Sequence, residues 1–467
     1  MPQMTPDNQN NMETPKISRL LDLIGHTPMV EIKNINTGPC QLFVKMESQN
    51  PGGSIKDRVA MSMIEAAEKS GELQPGGTII EATAGNTGLG LALVASQKGY
   101  RLILVIPDKM SREKIFHLRA MGAEIRLTRS DVGKGHPEYY QDMAERIGKE
   151  NGYFYINQFS NVANPFAHET TTGPEIFEQM DGRVDAVVCG VGSGGTLAGL
   201  SRYFAKTSPA TELVLADPQG SILVEYIKSG NLGQAGSWLV EGIGEDFIPS
   251  IADLSRVKTG YTINDSESFE VARELLRKEG ILGGSSSGTL VAGALRYCRE
   301  QTRPKRVVTF ICDSGNKYLS KMFNDFWMLD QGFLKRETYG DLRDLISRSH
   351  SEGATVTIGP ADTLNIAYSR MKLYDISQLP VMEDSKIVGF LDESDVLLSI
   401  LGQGEKFKMP VHAAMTKRVQ TISYKAKGED LLPIFDQGNV AVVVDGEKFL
   451  GLITRIDFLN HLRRKMN

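Results

Sequence analysis

A lysine that follows a glycine-rich turn is the residue with the clearest chemical potential in this sequence. Lys56 stands in the stretch Asn-Pro-Gly-Gly-Ser-Ile-Lys-Asp-Arg that begins at Asn50, where a helix is predicted to start. The positive end of a helix disfavours a protonated amine. A neutral amine can attack an aldehyde, so the position suits a lysine that binds a carbonyl compound covalently. Taken alone, the same pattern also fits a solvent-facing lysine after a turn.

A second polar segment runs from Glu81 to Gly88, between a predicted strand and a predicted helix. It contains Thr83, Asn86 and Thr87. Hydroxyls, an amide and unpaired N–H groups at a helix start can bind a carboxylate. Helix capping explains one threonine but not the whole run.

A third segment, Gly190 to Thr196, is rich in glycine and again joins a predicted strand to a predicted helix. Its successive N–H groups could hold a phosphate. The run also fits G-x-G-x-x-G, and Asp217 ends the next predicted strand, so a nicotinamide dinucleotide site is a competing interpretation. The presence of two further anion-type segments upstream counts against a dinucleotide site.

A fourth segment, Gly280 to Gly288, contains three successive serines, with Ser286 in the middle. A serine at a strand-to-helix turn could hydrogen-bond a ring nitrogen. An ordinary serine cap at a helix start is the simpler interpretation of this segment by itself.

The composition excludes several classes of function. The 467 residues carry a net charge of -5, which gives no attraction to nucleic acid or anionic membranes. No long apolar run predicts a membrane span, and the polar first fifteen residues predict no secretion signal. Four cysteines and seven histidines are scattered without ligand-type spacing. We therefore expect a cytoplasmic protein with reduced thiols and no metal.

Short apolar strands alternate with amphipathic helices from about residue 17 to residue 334. This alternation predicts an α/β fold with a parallel sheet covered by helices on both faces. Ligands of such sheets bind at the carboxyl ends of the strands, where the four segments stand. The predicted strands are 42–46, 78–81, 102–106, 123–127, 186–189, 213–216 and 306–311, and the predicted helices include 57–70 and 88–98.

The pattern changes after residue 335. A charged stretch, 336–350, is predicted to be a linker, and a weak repeat with a period of roughly 62 residues follows. In this repeat Ile387–Asp395 corresponds to Phe449–Asp457. The predicted domains are a disordered start at 1–16, a large domain at 17–335, and two similar units at 351–402 and 403–467.

Together the four segments resemble the fold-type II pyridoxal phosphate enzymes of the cysteine synthase and cystathionine β-synthase family. The resemblance implies a catalytic sheet in two subdomains, and the C-terminal repeat resembles a tandem CBS-type (Bateman) module. It spans about residues 17–330 in a specific order. Five stretches carry it: Gly25-His-Thr-Pro-Met, Gly52-Gly-Ser-Ile-Lys-Asp-Arg, Thr83-Ala-Gly-Asn-Thr-Gly, Gly192-Ser-Gly-Gly-Thr and Glu241-Gly-Ile-Gly-Glu-Asp-Phe.

The family resemblance implies a role for each segment. Lys56 binds pyridoxal phosphate as a Schiff base and moves the α-proton of the substrate. Asn86 contacts the ring hydroxyl of the cofactor, and Ser286 faces its ring nitrogen. The phosphate is held by Gly192, Ser193, Gly194, Gly195 and Thr196. The substrate carboxylate is held by Thr83, Ala84, Thr87 and Gln158.

The resemblance also implies a reaction, in which the β-substituent of L-serine or O-acetylserine is replaced by L-homocysteine to give cystathionine. Such a lyase, of the hydro-lyase type, acts in transsulfuration and cysteine biosynthesis. The alternative is a cysteine synthase that uses O-acetylserine and sulfide. Ala84 replaces a serine usual in its loop and occurs in relatives that prefer an activated donor. No Cys or His precedes His26, so we predict no haem.

In the C-terminal module Thr454 and Asp457 match the Thr-x-x-Asp pattern by which CBS-type domains hold an adenosyl ribose. The predicted ligand is S-adenosylmethionine or AMP, and a structural or dimer-forming module is the alternative. Asp392 replaces the threonine in the first unit, which favours one site over two. We expect small-molecule substrates, no nucleic-acid or membrane partner, and a homodimer or larger homo-oligomer.

Overall fold

The chain forms two compact units, Met1–Phe323 and Asn324–Asn467. The computed structural model describes residues 19–83, 85–108, 112–133, 135–335, 338–347, 349–350, 353, 355–384, 386–401, 404–417 and 419–466. The disordered start predicted at 1–16 and the substrate contact predicted at Ala84 lie outside the described residues. In the described part of the chain, no helix is both long and apolar enough to cross a membrane.

The first unit alternates strands and helices. Its strands are β1 (Met29–Glu31), β2 (Gln41–Lys45), β3 (Thr78–Glu81), β4 (Arg101–Pro107), β5 (Glu124–Thr128), β6 (Phe154–Tyr155), β7 (Ala186–Cys189), β8 (Glu212–Pro218), β9 (Val257–Ile263) and β10 (Arg306–Phe310). Its helices are α1 (Lys56–Ser70), α2 (Asn86–Lys98), α3 (Arg112–Ala120), α4 (Tyr140–Asn151), α5 (Ala163–Ala167), α6 (Gly173–Gln179), α7 (Gly195–Thr207), α8 (Leu223–Ser229), α9 (Asp265–Glu279) and α10 (Ser285–Arg299).

These strands form two sheets, one in each subdomain of the unit. The larger sheet has the order β1-β2-β10-β7-β8-β9, and the smaller has the order β5-β4-β3-β6. All neighbouring strands run parallel except β1, which is antiparallel to β2. The predicted α/β fold is therefore confirmed, with an antiparallel edge strand that the sequence did not indicate.

The sheet interiors explain why these segments become strands. The central residues of β4 and β7 are buried apolar side chains without polar alternation. Strands buried on both faces have this pattern, because helices cover a parallel sheet on each side. The segments that carry Lys56, Thr83 to Thr87, Gln158 and Gly192 to Thr196 follow β2, β3, β6 and β7. The serine segment joins α9 to α10, so the strand-to-helix turn predicted for Ser286 is wrong.

A buried ion network holds the start of α1. The Arg58 guanidinium donates to Glu47 at 2.8 Å and to Glu175 at 2.6 Å, and its side chain is 2% exposed. Lys45 donates to Glu175 at 2.7 Å. Because each buried charge has an opposite partner, the network fixes the first turn of α1, which begins at Lys56.

The second unit contains two smaller sheets, β11-β12 and β13-β14-β15. Its strands are β11 (Gln378–Glu383), β12 (Lys386–Asp392), β13 (Thr421–Ser423), β14 (Ala441–Asp445) and β15 (Lys448–Ile453), and its helices are α11 (Asp325–Asp330), α12 (Leu364–Tyr374), α13 (Glu393–Ile400), α14 (Leu432–Asp436) and α15 (Arg455–Met466). The order strand, strand, helix occurs twice, in β11-β12-α13 and in β14-β15-α15. This is the repeat that the sequence predicts.

Candidate active site

The first unit encloses a cavity of about 450 Å³. The cavity brings together ten predicted site residues: Lys56, Thr83, Asn86, Thr87, Gln158, Gly192, Ser193, Gly194, Thr196 and Ser286. Gly195 is not among the lining residues, although both of its neighbours are. Segments that lie far apart in the sequence therefore meet around one space.

Lys56 is the first residue of α1 and faces this cavity. The preceding residue is tied to the end of the large sheet, because the Ile55 N–H donates to the Cys312 carbonyl at 2.9 Å. Burial lowers the pKa of Lys56, and the nearby charges of Cys312, Asp313 and Glu245 oppose that shift without reversing it. The side chain keeps some surface toward the cavity while protein surrounds it elsewhere. The amine is therefore biased toward its neutral, nucleophilic form.

The polar segment at the start of α2 forms one wall of the cavity. The Thr87 hydroxyl donates to Gln158 Oε1 at 2.7 Å, which joins two of the predicted carboxylate contacts. The Asn86 amide donates to Asp313 Oδ2 at 2.9 Å and accepts from Lys317 Nζ at 2.7 Å. The Asn86 side chain is thus oriented by two charged neighbours that the sequence did not single out.

The glycine-rich loop after β7 leads directly into α7, a helix of thirteen residues. Gly194 precedes the helix with a φ of 89°, a left-handed conformation that favours glycine. The hydroxyl-bearing Ser193 and Thr196 line the cavity beside this helix start. Open N–H groups and hydroxyls at a helix N-terminus form a site for an anion such as phosphate.

A layer of buried side chains supports this loop from behind. Asn164 Nδ2 donates to Ser193 Oγ at 3.0 Å and to the Gln158 carbonyl at 2.9 Å. His168 Nε2 lies 3.2 Å from Thr196 Oγ1, and burial lowers the pKa of His168 well below its usual value. His168 begins a π-helical turn that ends at Thr172. A neutral imidazole can fix the orientation of the Thr196 hydroxyl.

The three serines at the start of α10 have separate contacts. Ser285 Oγ accepts from the Glu241 N–H at 3.0 Å, and Ser287 Oγ accepts from the Cys312 N–H at 3.0 Å. Ser286 lines the cavity, where it forms a hydrogen bond with the Cys312 thiol. Ser286, the serine predicted from the sequence, is the one that faces the cavity. Ser285 and Ser287 instead hold the neighbouring loops in position.

Asp217, which supported the dinucleotide interpretation, is not among the residues that line the cavity. Its side chain is buried, and its Oδ2 accepts from the Val224 N–H at 3.3 Å. This carboxylate therefore supports the start of α8.

Some lining residues were not predicted from the sequence. Tyr140, Trp238 and Glu245 all face the cavity. Glu245 lies in the Glu241–Phe247 stretch, which the sequence singled out only for its family resemblance. That stretch was the available signal for Glu245, whereas Tyr140 and Trp238 stand in segments without a recognisable pattern.

A second cavity, of about 570 Å³, lies within the second unit. Thr454 and Asp457 both line it, and the Thr454 hydroxyl donates to Asp457 Oδ2 at 2.6 Å. Ser347 donates to the other oxygen of Asp457. In the first repeat Asp392 stands where Thr454 stands in the second. Both side chains cap a helix, because Asp392 Oδ1 accepts from the Asp395 N–H at 2.7 Å and Thr454 Oγ1 accepts from the Asp457 N–H at 3.3 Å. The two repeats therefore share this capping geometry and differ in the residue type at the position predicted to bind a ligand.

Two family models match the chain. Residues 20–313 match the pyridoxal-phosphate dependent enzyme family. Residues 343–402 and 411–464 each match the CBS domain family.

Known proteins are similar to the chain over most of its length. A cystathionine beta-synthase from Dictyostelium discoideum is 35% identical, and the match covers 96% of this chain and 93% of that protein. A cystathionine beta-synthase from Mus musculus is 40% identical over 92% of this chain and 78% of that protein. The crystal structure of a hydrogen sulfide-producing enzyme from Fusobacterium nucleatum is 39% identical, with a TM-score of 0.61, over 65% of this chain and 99% of that one.

Proposed function

The chain belongs to the cystathionine β-synthase family of pyridoxal-phosphate dependent enzymes, and from this premise we propose that it joins a serine-type amino acid to L-homocysteine to give cystathionine. The observation that carries the proposal is the single cavity in which Lys56 meets an anion-binding helix start and a second polar wall. The full-length relatives favour cystathionine formation over the cysteine synthase alternative.

The residues around the cavity fit pyridoxal phosphate. The start of α7, with Ser193 and Thr196, would hold the phosphate, and Lys56 would bind the aldehyde carbon. Asn86 would contact the ring hydroxyl, and the neutral Ser286 would face the ring nitrogen. The cofactor has three chemically different groups, and each has a suitable partner here. The anion site suits the phosphate, the largely desolvated amine suits the aldehyde, and the neutral hydroxyl suits the ring nitrogen.

The steps of the reaction assign a separate task to each residue. When bound, pyridoxal phosphate supplies a conjugated ring that withdraws electrons from the α-carbon of the substrate. Thr83, Thr87 and Gln158 would hold the substrate carboxylate and so orient the Cα–H bond. The neutral Lys56 amine would remove the α-proton and later return it to the same carbon. The enclosing walls would exclude water that competes with the thiol.

The phosphate assignment predicts the effect of a small change in the loop. A Cβ at Gly195 would overlap the Asn164 carboxamide, which itself supports Ser193. We expect Gly195→Ala to weaken the binding of pyridoxal phosphate about 10- to 100-fold, the equivalent of one hydrogen bond to a charged group. Absorbance titration of the apoprotein measures this. Gly133→Ala, at an exposed glycine with open space around it, is the control and should bind normally. Unchanged affinity in Gly195→Ala would argue against a phosphate at this loop.

Competition between acceptors tests the proposed reaction. The purified holoenzyme is supplied with L-serine or O-acetylserine, together with equal concentrations of L-homocysteine and sulfide, and the amino-acid products are identified by mass spectrometry. Cystathionine should be the main product. Cysteine as the main product with both donors would instead support the cysteine synthase alternative.

We also propose that the second unit binds an adenosyl ligand, S-adenosylmethionine or AMP. The support is the cavity lined by Thr454 and Asp457, whose carboxylate can accept hydrogen bonds from ribose hydroxyls. In the first repeat Asp392 stands in the place of Thr454, so the threonine of the Thr-x-x-Asp pattern is missing there.

Calorimetry with either ligand tests the adenosyl site. We expect Asp457→Asn to weaken binding at least about tenfold, because hydrogen bonds to a charged group contribute about 1.5–3 kcal/mol. Asp395→Asn, at the position of the first repeat that corresponds to Asp457, is the matched control and should bind as the unsubstituted protein does. If neither ligand releases or absorbs heat with the unsubstituted protein, the module does not bind them.

Assembly and location follow from the family premise. We propose a homodimer or larger homo-oligomer that acts in the cytoplasm, where the four free cysteines would stay reduced. Light scattering of the purified holoenzyme measures the oligomeric mass, and a monomer would contradict the first part of the proposal.

A further inference from the structure

The Glu245 carboxylate faces the active-site cavity without a partner. It makes no hydrogen bond or ion pair with any residue that the structure describes, although its backbone is firmly held. Its N–H donates to Ser221 Oγ at 3.0 Å, and its carbonyl accepts from the Ile222 N–H at 3.1 Å. A fixed backbone with a free carboxyl group facing a cavity is a favourable arrangement for acting on a bound substrate.

Gly244, the residue before Glu245, helps to fix the position of the Glu245 backbone. Gly244 has a φ of 89°, and its N–H donates to the Val191 carbonyl at 2.8 Å in the glycine-rich loop after β7. A side chain at Gly244 would overlap Pro218 and Trp238. The turn that presents Glu245 is therefore packed against the proposed phosphate loop and against a wall of the same cavity.

The charged and titratable groups around Glu245 favour its protonated form. Burial raises the pKa of this carboxyl to about 8, with further contributions from Asp246 and from Asp217 at the end of β8, while the Lys56 charge opposes them. The charge of Glu245 also helps to raise the pKa of Tyr139 and of Tyr140, at the start of α4. Near neutral pH this group can therefore both donate and accept a proton.

The proposed reaction moves protons at the α-carbon, at the leaving hydroxyl and at the thiol. The Lys56 amine holds the α-proton from its removal until its return to the same carbon. The hydroxyl of serine must gain a different proton to leave as water, and the incoming thiol must lose one. Among the described lining residues, the other titratable groups are Tyr140, Cys189 and Cys312, and burial raises the pKa of each far above neutrality.

We propose that Glu245 is the second proton carrier, and that its presence adapts this enzyme to L-serine, with its poor hydroxyl leaving group, as the donor. The inference rests on the proposed function. The Cβ–O bond breaks with its electron pair on oxygen, which takes the Glu245 proton and leaves as water. The Cβ–S bond then forms, and the thiol proton passes to the Glu245 carboxylate. Serine and thiol are consumed, thioether and water are released, and both Lys56 and Glu245 return to their starting forms.

A comparison of the two donor substrates distinguishes proton transfer by Glu245 from a purely structural role. The acetate of O-acetylserine leaves as a stable anion and needs no proton, whereas the hydroxyl of serine does. Glu245→Gln keeps the size of the side chain but cannot donate a carboxyl proton. We expect kcat/KM for serine to fall about 10²- to 10⁴-fold in the holoenzyme, the range for loss of a general acid. For O-acetylserine, kcat/KM reports on the steps up to the loss of acetate, before the thiol adds, so we expect this quantity to fall less than tenfold.

The pH profile adds a second readout. Turnover of serine by the unsubstituted enzyme should decline as pH rises through about 8, because Glu245 must be protonated to donate. The decline should be absent with O-acetylserine. Glu245→Asp keeps an ionisable group and should keep the decline with serine. Asp246→Asn removes an exposed charge that helps to raise the Glu245 pKa, so it should keep turnover of serine and move the decline to lower pH.

The outcomes are distinguishable. Equal losses with both donors in Glu245→Gln, or no loss with serine, would overturn the role of Glu245 and leave cystathionine formation intact. An alkaline decline that is identical for both donors, or that Glu245→Asp lacks, would also overturn it. If the unsubstituted enzyme forms cystathionine from neither donor, the proposed function fails, and the role of Glu245 fails with it.

Discussion

Replacement of Lys56 by alanine is expected to lower the rate of cystathionine formation about 10³-fold or more, because the variant loses both the covalent cofactor link and the α-proton carrier. The bound cofactor should also lose the visible absorption that depends on a link to the protein. Stopped assays with L-serine and L-homocysteine, read by mass spectrometry, measure the rate. Absorption spectra of the purified variant measure the link.

Lys69 provides the control for this variant. It lies on the same helix, α1, and is exposed near the opposite end. Lys69→Ala should keep the absorption and the turnover. A Lys56→Ala variant that retained more than a tenth of the activity would contradict the assignment of this residue.

Replacement of Arg58 by methionine should destabilise the first unit by about 3–5 kcal/mol, the usual cost of removing one partner from a buried ion pair. Glu47 and Glu175 would lose their shared guanidinium, and Lys45 is the remaining cation in contact with Glu175. Urea unfolding followed at the visible absorption of the cofactor reports on this unit. Arg129→Met removes an exposed pair with Asp131 and should leave the midpoint unchanged. If the free energy of unfolding of Arg58→Met fell by less than about 1 kcal/mol, the ion network would not be needed for stability.

The same network predicts how stability depends on pH. Burial opposes ionisation of Glu175, but the hydrogen bonds and charges of Arg58 and Lys45 outweigh it and lower the pKa to about 2. A carboxyl with a lowered pKa stabilises the folded state above its unfolded pKa. This stabilisation is lost as pH falls from the ordinary glutamate range toward 2. Arg58→Met should weaken that dependence, which unfolding experiments between about pH 5 and pH 3 can measure.

The sheet arrangement was predictable because its central strands are long apolar runs. The strands predicted at 78–81 and 186–189 match β3 and β7. The edge strand β9 was not predicted, since Val257–Ile263 contains Lys, Gly and Thr and is only partly buried. An edge strand has a partner on one side alone, so its sequence is less constrained toward apolar residues.

The loops of the candidate site were predictable because glycine and hydroxyl residues are concentrated at strand ends and at the start of α10. The orienting residues were not, because their importance depends on tertiary contacts. Asn164 and His168 support the proposed phosphate loop from another segment, and Asp313 orients Asn86 from a third. Glu245 is one acid in a glycine-rich stretch, and its relation to Lys56 appears only when the two segments meet at the cavity.

Reduction of the holoenzyme with borohydride, followed by peptide mass spectrometry, tests the central assignment most directly. Reduction converts the covalent link between lysine and pyridoxal phosphate into a permanent one. We expect a pyridoxyl-phosphate mass on the peptide that contains Lys56, and on no other. The same mass on a peptide containing Lys114 or Lys317, or on none, would contradict it.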